Sequence, residues 1–128
     1  MADKNLWGDL KGIENVKTPA TYLVEQASLL TKETENLLVG VVETQKWGND
    51  FRSELMIEVP YLNNYRYSLL HVEYPLALYP LHIYDLIGKL DYKCESQEQL
   101  IDSLRDILSS SAVHRVLATL KAQNFSST

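Results

Sequence analysis

Hydrophobic and polar residues alternate most regularly between Phe51 and Val59. The side chains on one face of this extended segment are Phe51, Ser53, Leu55, Ile57 and Val59, and those on the other face are Arg52, Glu54, Met56 and Glu58. A period of two residues is typical of a strand with one face in a core and one in water. The surrounding region, from Val39 to Cys94, holds seven of the eight tyrosines and contains further strand-like segments separated by turns. We therefore expect a sheet in the middle of the chain.

The segment before this strand predicts its partner. Residues 37–45 are apolar and rich in β-branched side chains, and residues 47–50 (Trp-Gly-Asn-Asp) have the composition of a tight turn, because Gly and Asn tolerate a positive φ. A register symmetric about this turn predicts a hairpin over residues 38–59, in which the inner pairs join apolar residues. Its pairs are Lys46 with Phe51 at the rim, Val42 with Leu55, and Leu38 with Val59.

Three more strands are predicted after this hairpin. Residues 60–64 contain a proline and two asparagines and form the connection. Residues 65–74 are partly apolar on both faces, which predicts a central strand. Residues 76–85 continue the extended pattern, but Pro80 has no N–H group and indicates an edge or a bulge. Residues 89–94 are expected to form one more short strand.

Helices are predicted on either side of the sheet region. Thr18 is followed by proline, which is a strong signal for a helix start, and we expect this helix from Pro19 to Asn36. Ser96 and Gln99 have the spacing of a capping box and precede apolar residues at helical intervals. A last amphipathic helix is expected to end near Gln123.

These elements predict one α+β domain over residues 18–123. It consists of an N-terminal helix, an antiparallel meander of four to five strands and two C-terminal helices, with all helices packed on one face of the sheet. Residues 1–17 are interrupted by Gly8 and Gly12, which predicts an arm or a weak helix. Residues 124–128 are mostly polar and are expected to fray.

Composition narrows the possible partners. The chain of 128 residues has 45% hydrophobic and 23% charged residues, as an ordinary globular domain does. Its formal net charge is −5 and its basic residues are scattered, so phosphate would be repelled and no nucleic-acid partner is expected. Cys94 is the single cysteine, which excludes an internal disulfide and favours a reducing compartment.

The first residues lack the basic and apolar regions of a signal peptide. No apolar run approaches the roughly 18 residues needed to cross a bilayer. We therefore expect a cytoplasmic protein with no membrane partner and no cofactor.

His71 and His82 provide the most specific candidate chemistry. If the two strands that flank Pro75 fold back on each other, these imidazoles lie directly opposite one another, with Glu73 and Tyr84 on the same face. Two imidazoles and a carboxylate are suited to a transition metal or to general acid–base chemistry. The alternative is that both histidines are half-buried strand residues that pack against tyrosines.

The tyrosines of the sheet region suggest a second site. Their hydroxyl groups are too numerous for all of them to be satisfied in one small core, so several tyrosines are expected at the rim of the sheet. Exposed tyrosines provide rigid contact area for a protein partner. The predicted partner-binding residues are Tyr61, Tyr65, Tyr67 and Tyr74, together with Glu54 and Glu58, which would attract a basic partner. The alternative is that these tyrosines only line the boundary of the core.

No motif for catalysis is found, because the chain lacks G-x-S-x-G and phosphate-binding glycine loops, and the surroundings of Cys94 match no nucleophile motif. By general type the chain is similar to small acidic bacterial proteins that mask another molecule, such as immunity proteins and secretion chaperones. We predict a non-enzymatic protein–protein interaction module of this kind, with a protein partner or a second copy. The alternative is a small-ligand or metal-binding protein or enzyme that uses His71, His82 and Glu73.

Overall fold

A computed structural model describes residues 4–126 of the chain. Its helices are α1 (Pro19–Glu33), α2 (Gln97–Leu108) and α3 (Ser111–Ser126), and its strands are β1 (Val39–Trp47), β2 (Asp50–Val59), β3 (Tyr65–Tyr74), β4 (Leu81–Asp85) and β5 (Leu90–Cys94). Short 3-10 turns span Leu10–Gly12 and Pro60–Leu62. The strands form one antiparallel sheet in the order β1-β2-β3-β4-β5, with the helices on one face. The predicted α+β meander is confirmed, and β3 is central.

The β1–β2 hairpin has the predicted register. Val42 lies opposite Leu55 and Lys46 lies opposite Phe51. The last pair before the turn is Trp47 with Asp50, so the turn itself contains two residues, and the first of them is a glycine with a φ of 64°. A positive φ at this position is what a two-residue hairpin turn requires.

A bulge in β3 changes which side chains share a face. Leu55 lies opposite Leu70, whereas the next residue, Met56, lies opposite Ser68. Leu69 is therefore an extra residue in β3, and it lines the same cavity as Leu55 on the helix-covered side. The inserted residue reverses the alternation, so odd-numbered residues before it and even-numbered residues after it lie on the same face. Leu69 and Leu70 are therefore both buried, although they are neighbours in the strand.

The core lies between the helices and one face of the sheet. α1 packs across β1 and β2, α2 packs against β5, and α3 contacts α2 and the 3-10 turn that follows β2. The largest fully buried aliphatic side chains are Leu23, Leu38, Ile57, Leu70, Leu81, Ile83, Leu100 and Ile107. Each helix and strand except β1 contributes a buried residue to this cluster, and Val42 of β1 is partly buried and packs against it.

Several element ends differ from the sequence-based expectation, three of them with clear consequences. α1 ends at Glu33 rather than Asn36, because Glu35 and Asn36 have positive φ values of 52° and 67°. β4 begins at Leu81 rather than at residue 76, since the prolines at both ends of the connection interrupt the extended pattern. α3 continues to Ser126 instead of ending near residue 123.

The structure describes most of the predicted arm and part of the predicted tail. Residues 4–17 are exposed and contain the first 3-10 turn, so the expected weak helix is limited to three residues. Residues 1–3 and 127–128, which belong to the predicted arm and the predicted frayed tail, lie outside the described residues.

Candidate functional site

One face of the sheet is not covered by any described helix, and we call it the outer face. The register places these side chains on it: Glu43, Trp47, Arg52, Glu54, Glu58, Arg66, His71, Glu73, His82 and Tyr84. Most of them are charged or aromatic, and they contact one another across the strands. The outer face is thus a polar surface with a defined arrangement of side chains.

Arg66 connects two acidic residues across one end of this face. Its guanidinium lies 2.9 Å from a carboxylate oxygen of Glu58 and 3.1 Å from one of Glu43. The side chains of Arg66 and Glu43 are 43% and 62% exposed, so water screens the pairing and it adds little to stability. These contacts orient the side chains more than they stabilise the fold.

A row of aromatic and basic side chains crosses four strands of the outer face. The guanidinium of Arg52 lies 4.7 Å from the ring centre of Trp47, and its Nη2 donates a hydrogen bond of 3.0 Å to Nδ1 of His71. The ring of His71 lies 4.8 Å from that of Tyr84, which lies 6.3 Å from that of His82. Because arginine has no acceptor, Nδ1 of His71 must carry the lone pair in this contact.

The surroundings of His71 favour its neutral form. Burial lowers the pKa of His71 from its usual 6.5, and the positive charge of Arg52 lowers it further. Glu73 opposes this effect, with a carboxylate oxygen 3.9 Å from Nε2. Burial, followed by the charge of Glu73, raises the pKa of the Tyr84 hydroxyl. A neutral imidazole can keep accepting the hydrogen bond from Arg52.

The predicted pairing of the two histidines is wrong. His71 lies opposite Tyr84, and His82 lies opposite Glu73. The strands do not turn directly after Pro75, because the residues up to Pro80 form a longer loop that shifts the register. Within residues 4–126, no group of three or more His, Cys, Asp or Glu side chains is arranged to hold a metal ion.

The structure places the predicted tyrosines on the opposite side of the sheet from Glu54 and Glu58. Tyr65 lies opposite the buried Val59, so it belongs to the helix-covered face, although it is 48% exposed. Tyr67 lies two residues further along the same face and is partly buried against the core. The acidic and aromatic residues of the predicted site therefore do not form one surface.

The two remaining tyrosines of the predicted site have structural contacts. Tyr74 is only 5% exposed, and its hydroxyl hydrogen-bonds to that of Ser53 at 3.0 Å. Tyr61 is partly buried in the second 3-10 turn, where its hydroxyl donates to the backbone carbonyl oxygen of Leu120 in α3. Tyr74 is a core residue, and Tyr61 joins α3 to the sheet.

A groove between α1, α3 and the sheet is the second candidate surface, and we call it the helix groove. Its main cavity has a volume of about 400 Å³. The apolar side chains around this cavity are Ala27, Leu29, Leu30, Leu55, Leu69, Leu108, Val113 and Leu117. Leu29 is 49% exposed. The polar side chains at the mouth are Gln26, Glu33 and His114, all of them exposed.

The helix groove continues toward α2. A second cavity of about 350 Å³ shares Gln26, Leu108 and His114 with the first and adds Tyr22 and Ile101. The two cavities together follow one side of α1. The sequence does not predict this groove. A helix has the same pattern of apolar residues whether the neighbouring helix covers its apolar stripe fully or leaves part of the stripe open.

Comparison of the chain with protein families, curated proteins and solved structures finds no match. Among the described helices, none combines the length and the apolar character needed to cross a membrane. The functional argument therefore depends on the surfaces of this chain.

Proposed function

We propose that the protein is a non-enzymatic binding module that takes an amphipathic helix of a partner protein into the helix groove. The observation that carries the proposal is the gap between α1 and α3, which leaves apolar side chains such as Leu29 and Leu117 accessible above the sheet. Amphipathic helices bind in apolar grooves of this kind through side chains at intervals of three and four residues. A helix placed there would complete the helical layer over the sheet.

The chemistry of the groove supports binding rather than catalysis. Its walls are mainly aliphatic, and aliphatic side chains provide hydrophobic contact without exchanging protons. The acidic excess of the chain, −5 at neutral pH, favours a partner helix with basic residues on its polar face. Glu33 at the mouth of the groove is placed to contact such a residue.

A small apolar ligand is the second candidate for the same groove. Pockets for small molecules have volumes of about 300–1,000 Å³, and the main cavity, at about 400 Å³, falls in this range. Such a ligand would use the aliphatic walls in the same way, but it would leave the rim residues Gln26 and Glu33 without a protein partner.

Site-specific photo-crosslinking from Leu29 in the source cells tests the proposal. We expect crosslinked peptides from one protein, with apolar residues at helical spacing and basic residues between them. The control position is Leu76, which is 81% exposed and does not line the groove. The same proteins captured from both positions would contradict the proposal, and a small-molecule adduct at Leu29 alone would favour the ligand.

Affinity measurements with the identified peptide provide the second step. A charge in the groove should prevent apolar contact, so we expect Leu29→Glu to weaken binding of the synthetic peptide by about tenfold or more. Leu76→Glu introduces the same charge at an exposed site outside the groove and should leave the affinity unchanged. Equal affinities of the two variants would exclude the groove as the binding site.

A further inference from the structure

β1 is an edge strand with an open backbone. Among the described strands it pairs only with β2, and it contains nine residues without a proline or a bulge. Sheet edges expose unpaired N–H and C=O groups that can pair with another strand. The outward-facing N–H and C=O groups of β1 therefore form a surface that another strand can bind.

Contacts with α1 show which residues of β1 face outward. The N–H of Gly40 donates to Oγ1 of Thr31 at 2.9 Å, so it does not bond to β2. The N–H of Leu38, two residues earlier, donates to Oγ1 of Thr34 at 3.1 Å. Backbone groups in an antiparallel strand alternate between the two neighbours, so the even-numbered residues of β1 face away from β2.

The hairpin turn supports the same assignment. Trp47 and Asp50 flank a two-residue turn, and the residues that flank such a turn bond to each other. The odd-numbered residues of β1 therefore bond to β2. The contacts with α1 and the hairpin turn therefore agree on which residues of β1 bond to β2 and which face outward.

α1 covers only the first part of this edge. Its threonines bond to Leu38 and Gly40, whereas no described residue bonds to the outward groups of Val42, Thr44 and Lys46. All side chains from residue 43 to residue 47 are exposed. The open edge is thus the segment 42–46.

We infer that this open edge pairs with the same segment of a second copy, in antiparallel orientation about a two-fold axis at Thr44. In this register the outward groups of Val42 face those of Lys46 in the second copy, and Thr44 faces its own equivalent. Every outward N–H and C=O of the segment then has a partner. The two sheets become one continuous sheet of ten strands.

Side chains on the outer face favour this register over the one centred on residue 43. Glu43 lies opposite Gln45 of the second copy, and Val41 lies opposite Trp47, which is 49% exposed in the single chain. A register centred on residue 43 would place two Glu43 carboxylates directly opposite each other, which is destabilising. The register centred on Thr44 avoids this repulsion and covers the tryptophan ring.

The pairing is independent of the proposed function. No residue of β1 lines the main cavity of the helix groove, so the groove stays open in the paired form. The two-fold arrangement uses the same edge in both copies and therefore stops at a dimer.

Sedimentation and amide hydrogen exchange on the full chain test the inference. We expect a particle of twice 14.7 kDa at high concentration and protection of the amides of Val42, Thr44 and Lys46 that is lost on dilution. The amides of Val41 and Glu43 should stay protected at all concentrations. A monomer, or a dimer in which the three even-numbered amides exchange freely, would overturn the inference.

Proline at Lys46 provides a matched test by mutation. Lys46→Pro removes an outward N–H but no bond to β2, so the hairpin should persist. We expect a dimer dissociation constant raised by about tenfold or more, since two symmetry-related bonds are lost. Lys46→Ala keeps the N–H and should dimerise like the wild type. An unchanged constant for Lys46→Pro would exclude this edge, and if that variant fails to fold, the exchange pattern of the wild type decides.

Discussion

Gly40 in β1 and Ala27 in α1 approach so closely that no side chain fits between them. A Cβ atom at Gly40 would lie 2.4 Å from Cα and 2.5 Å from the carbonyl oxygen of Ala27. Both atoms belong to the helix backbone, so the contact can be relieved only by moving α1. We expect Gly40→Ala to lower the free energy of unfolding by about 2 kcal/mol or more, measured by urea denaturation. Gly12→Ala is the control, because a Cβ atom at Gly12 would meet only the side chain of Asp9, at 3.3 Å, and no backbone atom.

Three hydroxyl groups form a chain across the helix-covered face. Oγ of Ser53 lies 2.7 Å from Oγ1 of Thr44 and 3.0 Å from the hydroxyl of Tyr74. We expect Ser53→Ala to destabilise by about 1–3 kcal/mol, because it leaves the Tyr74 hydroxyl without a partner. Tyr74→Phe should cost only about 0.5–1.5 kcal/mol, since Ser53 keeps its bond to Thr44. Thermal unfolding measures both, and a larger loss for Tyr74→Phe would contradict this order.

His71 is expected to make the fold sensitive to acid. Burial, reinforced by Arg52, lowers the pKa of His71 from its usual 6.5. Below pH 6.5 the unfolded chain therefore binds a proton that the folded chain does not, and stability falls until the lowered pKa is reached. We expect His71→Gln to remove this part of the fall, because glutamine stays neutral and can still accept from Arg52.

Urea denaturation at a series of pH values measures this effect. His82→Gln is the control, since its ring is exposed on the same face and does not bond to Arg52. The other charged groups near His71 are Glu54, Glu73 and Asp91, and all three favour protonation of the ring. If the wild type and His71→Gln lose stability equally below pH 6.5, protonation of His71 is not the cause of the loss of stability in acid.

Tyr61 should determine how firmly α3 is held. Its hydroxyl donates to the carbonyl oxygen of Leu120, which links the 3-10 turn after β2 to the last helix. We expect Tyr61→Phe to increase amide exchange in the second half of α3 by about 5- to 10-fold, in proportion to a lost hydrogen bond of about 1 kcal/mol. Exchange in α2 should not change. Equal increases in both helices would indicate a general loss of stability instead.

Local chemistry made much of the fold predictable. The turn at residues 47–50 fixes the register of the first hairpin, because the residue pairs follow once a two-residue turn is placed. The caps at Thr18 and Ser96 fix two helix starts, and both side chains accept the expected backbone N–H bonds. Each of these signals depends only on residues close together in sequence.

The candidate surfaces depend on features that residue types do not reveal. The bulge at Leu69 adds one residue to β3 without a glycine or proline to mark it. The pairing of His71 and His82 depends on how far the loop after Pro75 extends. Leu29 belongs to an apolar helix stripe and would be buried if α3 lay closer to α1. These features follow from the relative placement of distant segments.

The order of the strands allows the sheet to form while the chain is being synthesised on the ribosome. Each strand pairs with its neighbour in the chain, so the sheet can assemble through successive short-range hairpins as the chain emerges. The helix groove, in contrast, needs α1, which precedes the strands in sequence, and α3, which follows them. A partner that recognises this groove would therefore bind only after α3 has been synthesised and has packed beside α1.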